Sequence, residues 1–404
     1  MNRRAASVFL LTIFLCACGN NRESRTDPSL SSEIDQIKAI DNHAHPVVPG
    51  GQDRDYDALP VENLEDAPTP LRLRSGYFSL VDARRGLGQD RDDVGKVLAR
   101  AGIQLMIANR VSMNAALDAA RFKWVAYADA LMYPLDNSAL KVNSDRKAFF
   151  DLEEKLLARY YKESGVETKP ASLDEYLEKV VKATLTRHKQ AGAIGEKFEM
   201  AYLRSLAVGS PSKADALAAW SGKGEYRALQ DYVLRYIAAE CGELGMAVHF
   251  HTGEGGGGYF DVAGSNPILL EPLLDDPSLR KTKFVLLHGG WPFSTESAAL
   301  LAKPNVWVDF SIQPLILSRD EVSRNIRTWL EYEPEKVLFG TDAYPYAPDV
   351  GWQETAVIGA RAGRAALGIA LTAMMREGEI QQDRALELAR MVLRDNARKL
   401  YGLP

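Results

Sequence analysis

The residues of this 404-residue chain most able to do chemistry are its histidines, of which there are only six. Five stand at the ends of short apolar segments: His43 and His45, His249 and His251, and His288. Residues two apart on an extended strand point to the same side, so His43 and His45 would present two imidazoles together. Neutral imidazole is a common ligand for zinc and related divalent ions. The spacing therefore predicts a divalent metal site.

Such a site needs a scaffold in which strand ends converge. Short apolar segments that end in polar or glycine residues alternate with helical stretches, which is the signature of βα units. Over the second half of the chain they recur at the regular spacing that a (β/α)8 barrel requires. The eight predicted strands span residues 38–42, 103–108, 123–130, 192–198, 246–251, 283–288, 306–310 and 336–341. The predicted fold class is therefore α/β, a TIM barrel.

Two long insertions interrupt the first half of the predicted barrel, at about residues 46–101 and 134–190. The second has apolar residues at three- and four-residue steps, which predicts amphipathic helices. We expect both insertions to cover the catalytic end of the barrel. Two further helical segments, at 352–375 and 381–403, are expected to close the fold.

The amino terminus has the layout of a bacterial secretory signal, with basic residues, a short apolar run and small residues in turn. The run is too short for a permanent membrane-spanning helix. Residues 15–18 (LCAC) resemble a lipobox, so 1–17 are predicted to be a signal peptide and Cys18 the lipidated residue. An ordinary signal peptide with incidental cysteines is the alternative. We expect a periplasm-facing lipoprotein of the bacterial cell envelope, in the outer rather than the inner membrane.

The composition of the chain indicates its domain organisation and the partners to be expected. Residues 18–32 are polar and are predicted to form a lipidated flexible tether, and residues 33–404 one barrel domain. Cys241 is the one cysteine beyond the lipobox, so no disulfide can form within the mature chain. The net charge is −5 with interspersed signs, which offers no basic stripe to nucleic acid. The expected partner is a small-molecule substrate, the membrane is reached only through the lipid anchor, and a homo-oligomer is left open.

The motifs at the strand ends resemble those of the amidohydrolase superfamily, specifically its amidohydrolase-related (amidohydrolase 2) branch. The matching segments are DNHAHP at 41–46, EKFEMAYLRSL at 196–206, HFHTGEG at 249–255, LLHGG at 286–290 and FGTDAYPY at 339–346. The resemblance implies one divalent metal, zinc by default, held by His43, His45, His251 and Asp342. Water would occupy an open position, where a metal lowers its pKa towards 7.

The resemblance also implies roles for residues around the metal. Asp342 would be the general base that takes a proton from the attacking water. His288 would polarise the substrate carbonyl or bind a second metal. Lys197 would bridge two metals as a carbamate, or stay unmodified beside one. We expect one metal and leave a second open.

Four further residues are predicted to contact the substrate: Arg204, Glu254, Trp291 and Tyr344. The planar guanidinium of Arg204 can bind a carboxylate through two hydrogen bonds, with a surface salt bridge as the alternative. The other three follow strands, where barrel loops build active sites. His249 is expected either to support the site from a deeper layer or to pack in the core, and His188 to lie at the surface.

These expectations define a metal-dependent hydrolase that cleaves an amide, cyclic amide, ester or lactone with metal-activated water. The same branch also resembles decarboxylases and hydratases that act on carboxylic acids, so such an enzyme is the first alternative. A non-catalytic ligand-binding lipoprotein is the second alternative, because a barrel by itself fixes no chemistry.

Overall fold

The structure is a computed structural model that describes residues 25–47, 69–113 and 117–403. Eight parallel strands neighbour one another in sequence order. The strands are β1 Ala39–Ala44, β2 Ile103–Asn109, β3 Phe122–Tyr127, β4 Ala193–Phe198, β5 Ala247–His251, β6 Lys283–Leu287, β7 Val306–Asp309 and β8 Val337–Leu338. Because each strand pairs in parallel with the next and helices lie between them, the sheet forms the predicted TIM barrel.

Helices connect the strands and surround the barrel. The α-helices are α1 Pro28–Gln36, α2 Phe78–Leu87, α3 Val94–Ala101, α4 Ser144–Glu163, α5 Leu173–Tyr176, α6 Ala183–Gln190, α7 Met200–Leu203, α8 Lys213–Trp220, α9 Tyr226–Leu244, α10 Glu271–Leu274, α11 Ser294–Leu300, α12 Gln313–Ile316, α13 Arg319–Tyr332, α14 Trp352–Arg376, α15 Gln382–Arg390 and α16 Asn396–Tyr401. Two π-helical segments, Leu177–Lys182 and Met391–Asp395, join α5 to α6 and α15 to α16.

Two apolar cores lie on the two sides of the sheet. The larger core fills the space between the strands and the helices. The smaller core lies inside the barrel, where Ile40, Val125 and Val285 of the strands pack with Leu400 of α16. Since Ile40 is near the beginning of β1, α16 covers the amino-terminal end of the barrel. The opposite, carboxyl-terminal end is left to the loops that build active sites in this fold.

The ordered body begins earlier in the chain than predicted. α1 starts at Pro28, and the Asp27 carboxylate accepts hydrogen bonds from the backbone N–H groups of Ser29 and Leu30. Leu30 is fully buried, so residues 28–32 belong to the folded domain and not to a flexible tether ending at Ser32. The predicted signal peptide (1–17) and lipidation site Cys18 lie outside the described residues.

Two strands end three residues before their predicted ends. β3 ends at Tyr127, because Asp129–Met132 turn into a buried 3-10 helix. β8 is limited to Val337–Leu338, since the chain leaves the sheet there towards the site.

The two predicted insertions differ in what they cover. In its described part the first insertion carries α2 and α3, and Thr69, Pro70 and Leu71 line a large cavity at the barrel mouth. The second insertion carries α4 to α6, as its amphipathic pattern predicts, but none of its residues is among those lining this cavity. It packs beside the mouth, where Phe149 stacks on Tyr202 with ring centroids 4.4 Å apart. The expectation that both insertions cover the catalytic end therefore holds only for the first.

α14 is long and apolar enough, by length and composition, to cross a membrane. It packs against α13, α3 and α1, and most of its side chains are buried within the protein. The apolar surface of α14 is thus used in the layer of helices around the barrel.

Candidate metal centre

The seam between the first and last strands runs beside the predicted metal ligands. The backbone N–H of Asp342 donates to the carbonyl of His43 at 2.8 Å, and the N–H of His45 donates to the carbonyl of Ala343 at 2.8 Å. The last residues of β1 also shift register against β2, an irregularity of the kind that redirects side chains next to active sites. Closing the barrel therefore brings both histidines to the carboxylate.

Three of the predicted ligands form one buried cluster. One ligand atom from each of His43, His45 and Asp342 lies within 4.8 Å of the other two. Asp342 Oδ1 is 3.1 Å from His43 Nε2 and 3.5 Å from His45 Nε2. Two imidazoles and a carboxylate are a ligand combination that suits zinc and similar divalent ions.

Neighbouring polar groups orient the two histidines. Tyr127 Oη lies 3.1 Å from His45 Nδ1, so Nε2 is the nitrogen that faces Asp342. The Asp41 carboxylate accepts hydrogen bonds from the N–H of His43 at 3.3 Å and from the N–H of Thr341 at 2.9 Å. Burial raises the pKa of Asp41 to about 7. Such outer partners fix the rotamer and tautomer of ligating side chains.

His251 and His288 lie next to the cluster without being part of it. Their ring centroids are 4.5 Å apart, and His288 is 5.2 Å from the ring of His43. His251 Nε2 donates to the carbonyl of Glu254 at 3.0 Å, which leaves Nδ1 as its nitrogen with a lone pair. His288 Nδ1 is 3.9 Å from Asp342 Oδ2. The structure thus places both predicted residues in the site, adjacent to the three-residue cluster but outside it.

The histidines are electrically suited to bind a cation. Burial lowers the pKa of His43, His251 and His288 well below the ordinary value. The positive charge of Lys197 lowers the pKa of His43 and His251 further. All three rings are therefore neutral at neutral pH, the state in which imidazole can ligate a metal.

Lys197 lies on the inner side of β4 and is fully buried. Its Nζ is 2.7 Å from Glu199 Oε1 and 3.4 Å from His43 Nε2. Burial raises the pKa of Glu199, against the opposing effect of the Lys197 charge. The amine of Lys197 is thus the partner of a buried carboxylate beside the metal cluster.

Backbone strain is concentrated at this site. Among the described residues, three that are not glycine have positive φ: His288 at 66°, Ile312 at 56° and Asp342 at 52°. All three line the same cavity. Such conformations cost free energy and persist where the surrounding structure enforces them, typically at functional sites.

The cluster opens into a cavity of about 1000 Å³ at the barrel mouth. Three of the predicted substrate contacts, Glu254, Trp291 and Tyr344, line it, as do His251, His288 and Lys197. Burial and the charge of Asp342 raise the pKa of Glu254 to about 7. The volume is that of a small-molecule site.

Arg204, in contrast, is not a substrate contact in this structure. It is buried, and its Nη2 donates to Asp231 Oδ1 at 2.5 Å while Nη1 donates to Gln230 Oε1 at 3.1 Å. Both partners belong to α9, and Arg204 is not among the residues lining the cavity. It links the β4 loop to a helix, which corrects both interpretations of it, as a substrate ligand and as a surface ion pair.

The two remaining histidines are both buried. His188, predicted at the surface, lies in α6 with Nδ1 2.9 Å from Glu196 Oε1, because Glu196 faces the helices and not the barrel interior. His249 lies one layer below His251, with Nε2 2.8 Å from Tyr401 Oη. Its contact with a tyrosine of the last helix places it between the site and the barrel floor.

Sequence reasoning missed several cavity residues and neighbours of the cluster. Tyr127 and Glu199 stand at or just after strand ends, so the rule that found the histidines could have found them. Arg74 and Arg91 line the cavity from the first insertion, which has no strand or motif to mark its functional residues. That placement depends on Arg72, which donates to the carbonyls of Pro314 and Leu317 and so fastens this segment beside the mouth.

Fold and site together define a class of protein, a (β/α)8 barrel with a histidine and carboxylate cluster at its carboxyl-terminal mouth. The ligand types, their spacing within 4.8 Å and their burial fit a divalent metal ion. The model of the amidohydrolase family matches residues 162–403, more than half of the chain. The chain therefore belongs to the amidohydrolase family.

Several solved structures share the fold of this chain. The chain is similar to a predicted metal-dependent hydrolase from Lactobacillus casei ATCC 334, with a TM-score of 0.63, 19% identity and coverage of 92% of this chain and 97% of that chain. It is also similar to a glucuronate isomerase from Caulobacter crescentus (TM-score 0.59, 14% identity, 93% of each chain). A uronate isomerase from Thermotoga maritima gives a TM-score of 0.58 at 14% identity, with coverage of 92% and 96%. A comparison with curated proteins gave no significant match.

Proposed function

We propose that this protein is a metal-dependent hydrolase that cleaves an amide, cyclic amide, ester or lactone. The observation that carries the proposal is the buried cluster of His43, His45 and Asp342 lining a cavity of small-molecule size. A divalent ion, zinc by default, would be held by these residues with His251 beside them and would lower the pKa of a bound water. The remaining chemistry falls to side chains of the chain itself.

Asp342 is the proposed general base. Its Oδ1 faces His43 and His45, and its other oxygen, Oδ2, lies 3.9 Å from His288 Nδ1. Burial raises the pKa of Asp342, which strengthens it as a proton acceptor. A carboxylate there can take a proton from the attacking water and return it to the leaving group.

Glu254 is proposed to handle a second proton. Among the described residues its Oε2 has no hydrogen-bond partner, although the atom is buried. A carboxyl group with a pKa of about 7 is protonated in a large fraction of molecules near neutral pH and can donate to a departing amine or alcohol. This gives the predicted substrate residue a more specific task.

The contacts of Lys197 favour one metal over two. Its ammonium group pairs with Glu199 at 2.7 Å in a fully buried setting. A carbamate on Lys197 would replace that attraction by two adjacent anions, which a low-dielectric interior penalises strongly. We therefore propose an unmodified Lys197 and a mononuclear site.

A second candidate function is a metal-dependent decarboxylase or hydratase that acts on a carboxylic acid. The observation that favours it is Arg74, which lines the cavity and, among the described residues, pairs only with the carbonyl of Thr69 through Nε at 2.9 Å. No residue in the described ranges pairs with its terminal guanidinium nitrogens, which can bind a carboxylate, a role that Arg204 does not fill.

The test is product analysis in water enriched in oxygen-18. Metal-loaded protein is incubated with amides, cyclic amides, esters and lactones, and separately with aromatic and dicarboxylic acids. Hydrolysis places one labelled oxygen in the acid product, whereas decarboxylation releases carbon dioxide from an unlabelled substrate. We expect labelled acid that disappears in Asp342→Asn and persists in Asp383→Asn, a change of an exposed acid in α15.

Other outcomes redirect the assignment. Carbon dioxide or hydrated product from the acids, without labelled cleavage products, would replace the hydrolase by the second candidate. A protein that binds metal and small acids but converts nothing would support the non-catalytic ligand-binding lipoprotein.

We further propose that Cys18 is lipidated and that the enzyme faces the periplasm from the outer membrane. The support is the order of basic, apolar and small residues that ends in LCAC at 15–18. In cells fed a labelled fatty acid, we expect label on the wild-type protein and none on Cys18→Ser, which should appear in the soluble periplasmic fraction. Labelling that survives the Cys18→Ser change would contradict the lipid anchor.

A further inference from the structure

A line of polar groups, buried except for the half-buried Tyr401 at its start, crosses the barrel interior from its floor to its mouth. It begins at Tyr401, the last residue of α16, whose Oη lies 2.6 Å from Asn42 Oδ1 and 2.8 Å from His249 Nε2. Asn42 precedes the metal ligand His43 on β1, and it is fully buried. The carboxyl-terminal helix thus touches the polar layer directly beneath the metal cluster.

The line continues through Asp309 at the end of β7. Asn42 Nδ2 donates to Asp309 Oδ2 at 2.7 Å. Asp309 Oδ1 accepts from Ser311 Oγ at 2.6 Å and from the backbone N–H of His288 at 2.8 Å. Ser311 Oγ in turn lies 2.9 Å from His288 Nδ1. Every link has ordinary hydrogen-bond length.

Counting donors and acceptors fixes the direction of each hydrogen bond. An ionised Asp309 accepts only, so Asn42 must turn its NH2 group to Asp309 and its oxygen to Tyr401. Tyr401 has one proton, which goes to Asn42. The bond between Tyr401 and His249 must then be donated by His249, whose proton is on Nε2.

At the mouth of the barrel, the hydrogen bonds of Ser311 also have fixed directions. Ser311 has one hydroxyl proton, and it donates that proton to Asp309. Ser311 therefore accepts from His288, which must carry its proton on Nδ1. The lone pair of His288 is then on Nε2, the nitrogen that this line of bonds leaves unused.

We infer that Asp309 is a positioning residue for His288, acting through Ser311 to hold His288 in the Nδ1–H tautomer, while Tyr401 holds Asn42, the donor to the second Asp309 oxygen. The use of His288 Nε2 towards substrate or metal rests on the proposed function. The tautomer itself does not, because it can be measured without substrate and without metal. Failure of the inference and failure of the proposed hydrolase are therefore separate results.

This arrangement of hydrogen bonds holds only over the pH range in which Asp309 is ionised. Burial raises the pKa of Asp309 above its ordinary value, and the hydrogen bonds from Ser311, Asn42 and the His288 backbone oppose that shift. A protonated Asp309 could donate to Ser311 and reverse the bond to His288. The inference thus requires the ionised carboxylate, for which the converging donors around it are the structural argument.

The experiment is nitrogen-15 NMR of histidine side chains in the full chain after removal of metal by a chelator. The chain has six histidines, so few signals have to be separated, and the His288 signal is identified by its loss in His288→Gln. We expect wild-type His288 to show one tautomer, protonated on Nδ1, and His249 to be protonated on Nε2.

Variants then test the path. Ser311→Ala removes the hydroxyl that accepts from His288 Nδ1–H and should turn the single tautomer of His288 into a mixture. Tyr401→Phe removes the acceptor of His249 Nε2–H and should change the His249 signal while His288 stays protonated on Nδ1. Tyr332→Phe, which removes the same hydroxyl from an exposed tyrosine, should leave the His288 signal unchanged.

Two results would overturn the inference. One is a wild-type His288 protonated on Nε2. The other is a His288 signal that keeps its single tautomer in a folded Ser311→Ala protein. Should Ser311→Ala not fold, the wild-type His249 signal still decides, since a proton on His249 Nδ1 is incompatible with the bond directions that an ionised Asp309 imposes.

Discussion

The backbone of Asp342 pairs with β1 where the barrel closes. Its side chain faces His43, His45 and the cavity. Asp342→Asn keeps the size of the side chain and the backbone hydrogen bond but removes the negative charge beside His43 and His45. Loss of a general base lowers rates by about 10²- to 10⁴-fold. We expect kcat/KM for a hydrolysed substrate to fall by at least this range in Asp342→Asn, measured at saturating metal.

The matched control for this prediction is Asp383→Asn, because Asp383 is an exposed acid in the first turn of α15. It should retain kcat/KM within about twofold, since surface changes away from a site have small effects. An Asp342→Asn enzyme with nearly full activity at saturating metal would show that another group accepts the proton.

Glu254 gives the metal-free protein a predictable dependence of stability on pH. Its pKa in the folded chain is raised to about 7 by burial and by Asp342, above the ordinary glutamate value in the unfolded chain. The folded state therefore holds the proton more tightly than the unfolded state. The stability associated with the neutral group is fully present below about pH 4.5 and is lost as the pH rises to about 7.

Replacing Glu254 by Gln keeps the group neutral at every pH. The difference in unfolding free energy between Glu254→Gln and wild type should therefore grow by about 3 kcal/mol between about pH 4.5 and about pH 8, in favour of the variant. Chemical denaturation of chelator-treated protein at the two pH values measures it. A difference that is the same at both values would show that Glu254 is solvated like an ordinary surface carboxylate.

At the scale of elements, the loop after β5 depends on a glycine that no other residue can replace without strain. Gly253 has a φ of +78°, and a Cβ atom there would lie 2.3 Å from the carbonyl oxygen of Trp291 and 2.4 Å from the carbonyl carbon of Gly290. Both neighbours are backbone atoms and cannot rotate away. We expect Gly253→Ala to shift this loop, weaken metal binding and lower the melting temperature.

Gly222 is the matched control for the element-scale prediction. Its φ of +75° is nearly the same, but no atom lies within 4 Å of the position that a Cβ would take there. Gly222→Ala should cost about 1 kcal/mol, which is the cost of the backbone conformation alone, and leave the metal affinity intact. Equal effects of the two changes on metal affinity would mean that the close approach to Trp291 is unimportant.

Most strands and helices could be predicted from the sequence, because the periodicity of apolar residues reflects which side of a strand or helix is buried. All eight strands lie where the apolar segments predicted, and the helices of the second insertion follow its three- and four-residue steps. His43 and His45 were found for the same reason, since strand ends converge in this fold, whereas Asp342 was predicted from the resemblance of residues 339–346 to the amidohydrolase motifs. The predicted strand ends were wrong where a local turn ended the strand early, as at the 3-10 helix Asp129–Met132 after β3.

Contacts between residues that are distant in sequence could not be predicted from apolar periodicity. Arg204 looked free for a substrate, but its ion pair partner Asp231 is on α9, and no local pattern connects the two residues. His188 was predicted at the surface, yet Glu196 meets it across the interface between β4 and α6. Tyr401 reaches Asn42 from the opposite end of the chain. Each of these contacts follows from packing, which the sequence specifies only through the complete fold.

For the whole molecule, a metal bound only by the folded chain should stabilise it. The ligands come from β1 and from the segment after β8, so they are together only when the barrel is closed. Binding at a metal concentration about 100 times Kd adds about 2.7 kcal/mol to the free energy of unfolding. We expect a chelator to lower the melting temperature of the wild type, and to lower that of Asp342→Asn much less. Equal shifts would indicate that the chelator acts elsewhere.

The central claim is that one divalent ion binds at His43, His45 and Asp342 beside an unmodified Lys197. The most direct measurement is elemental analysis of metal per chain for the wild type, Asp342→Asn and Lys197→Met. The account predicts about one equivalent in the wild type, little in Asp342→Asn, and about one in Lys197→Met. Two equivalents that fall on the Lys197 change, or no metal under any loading condition, would contradict it.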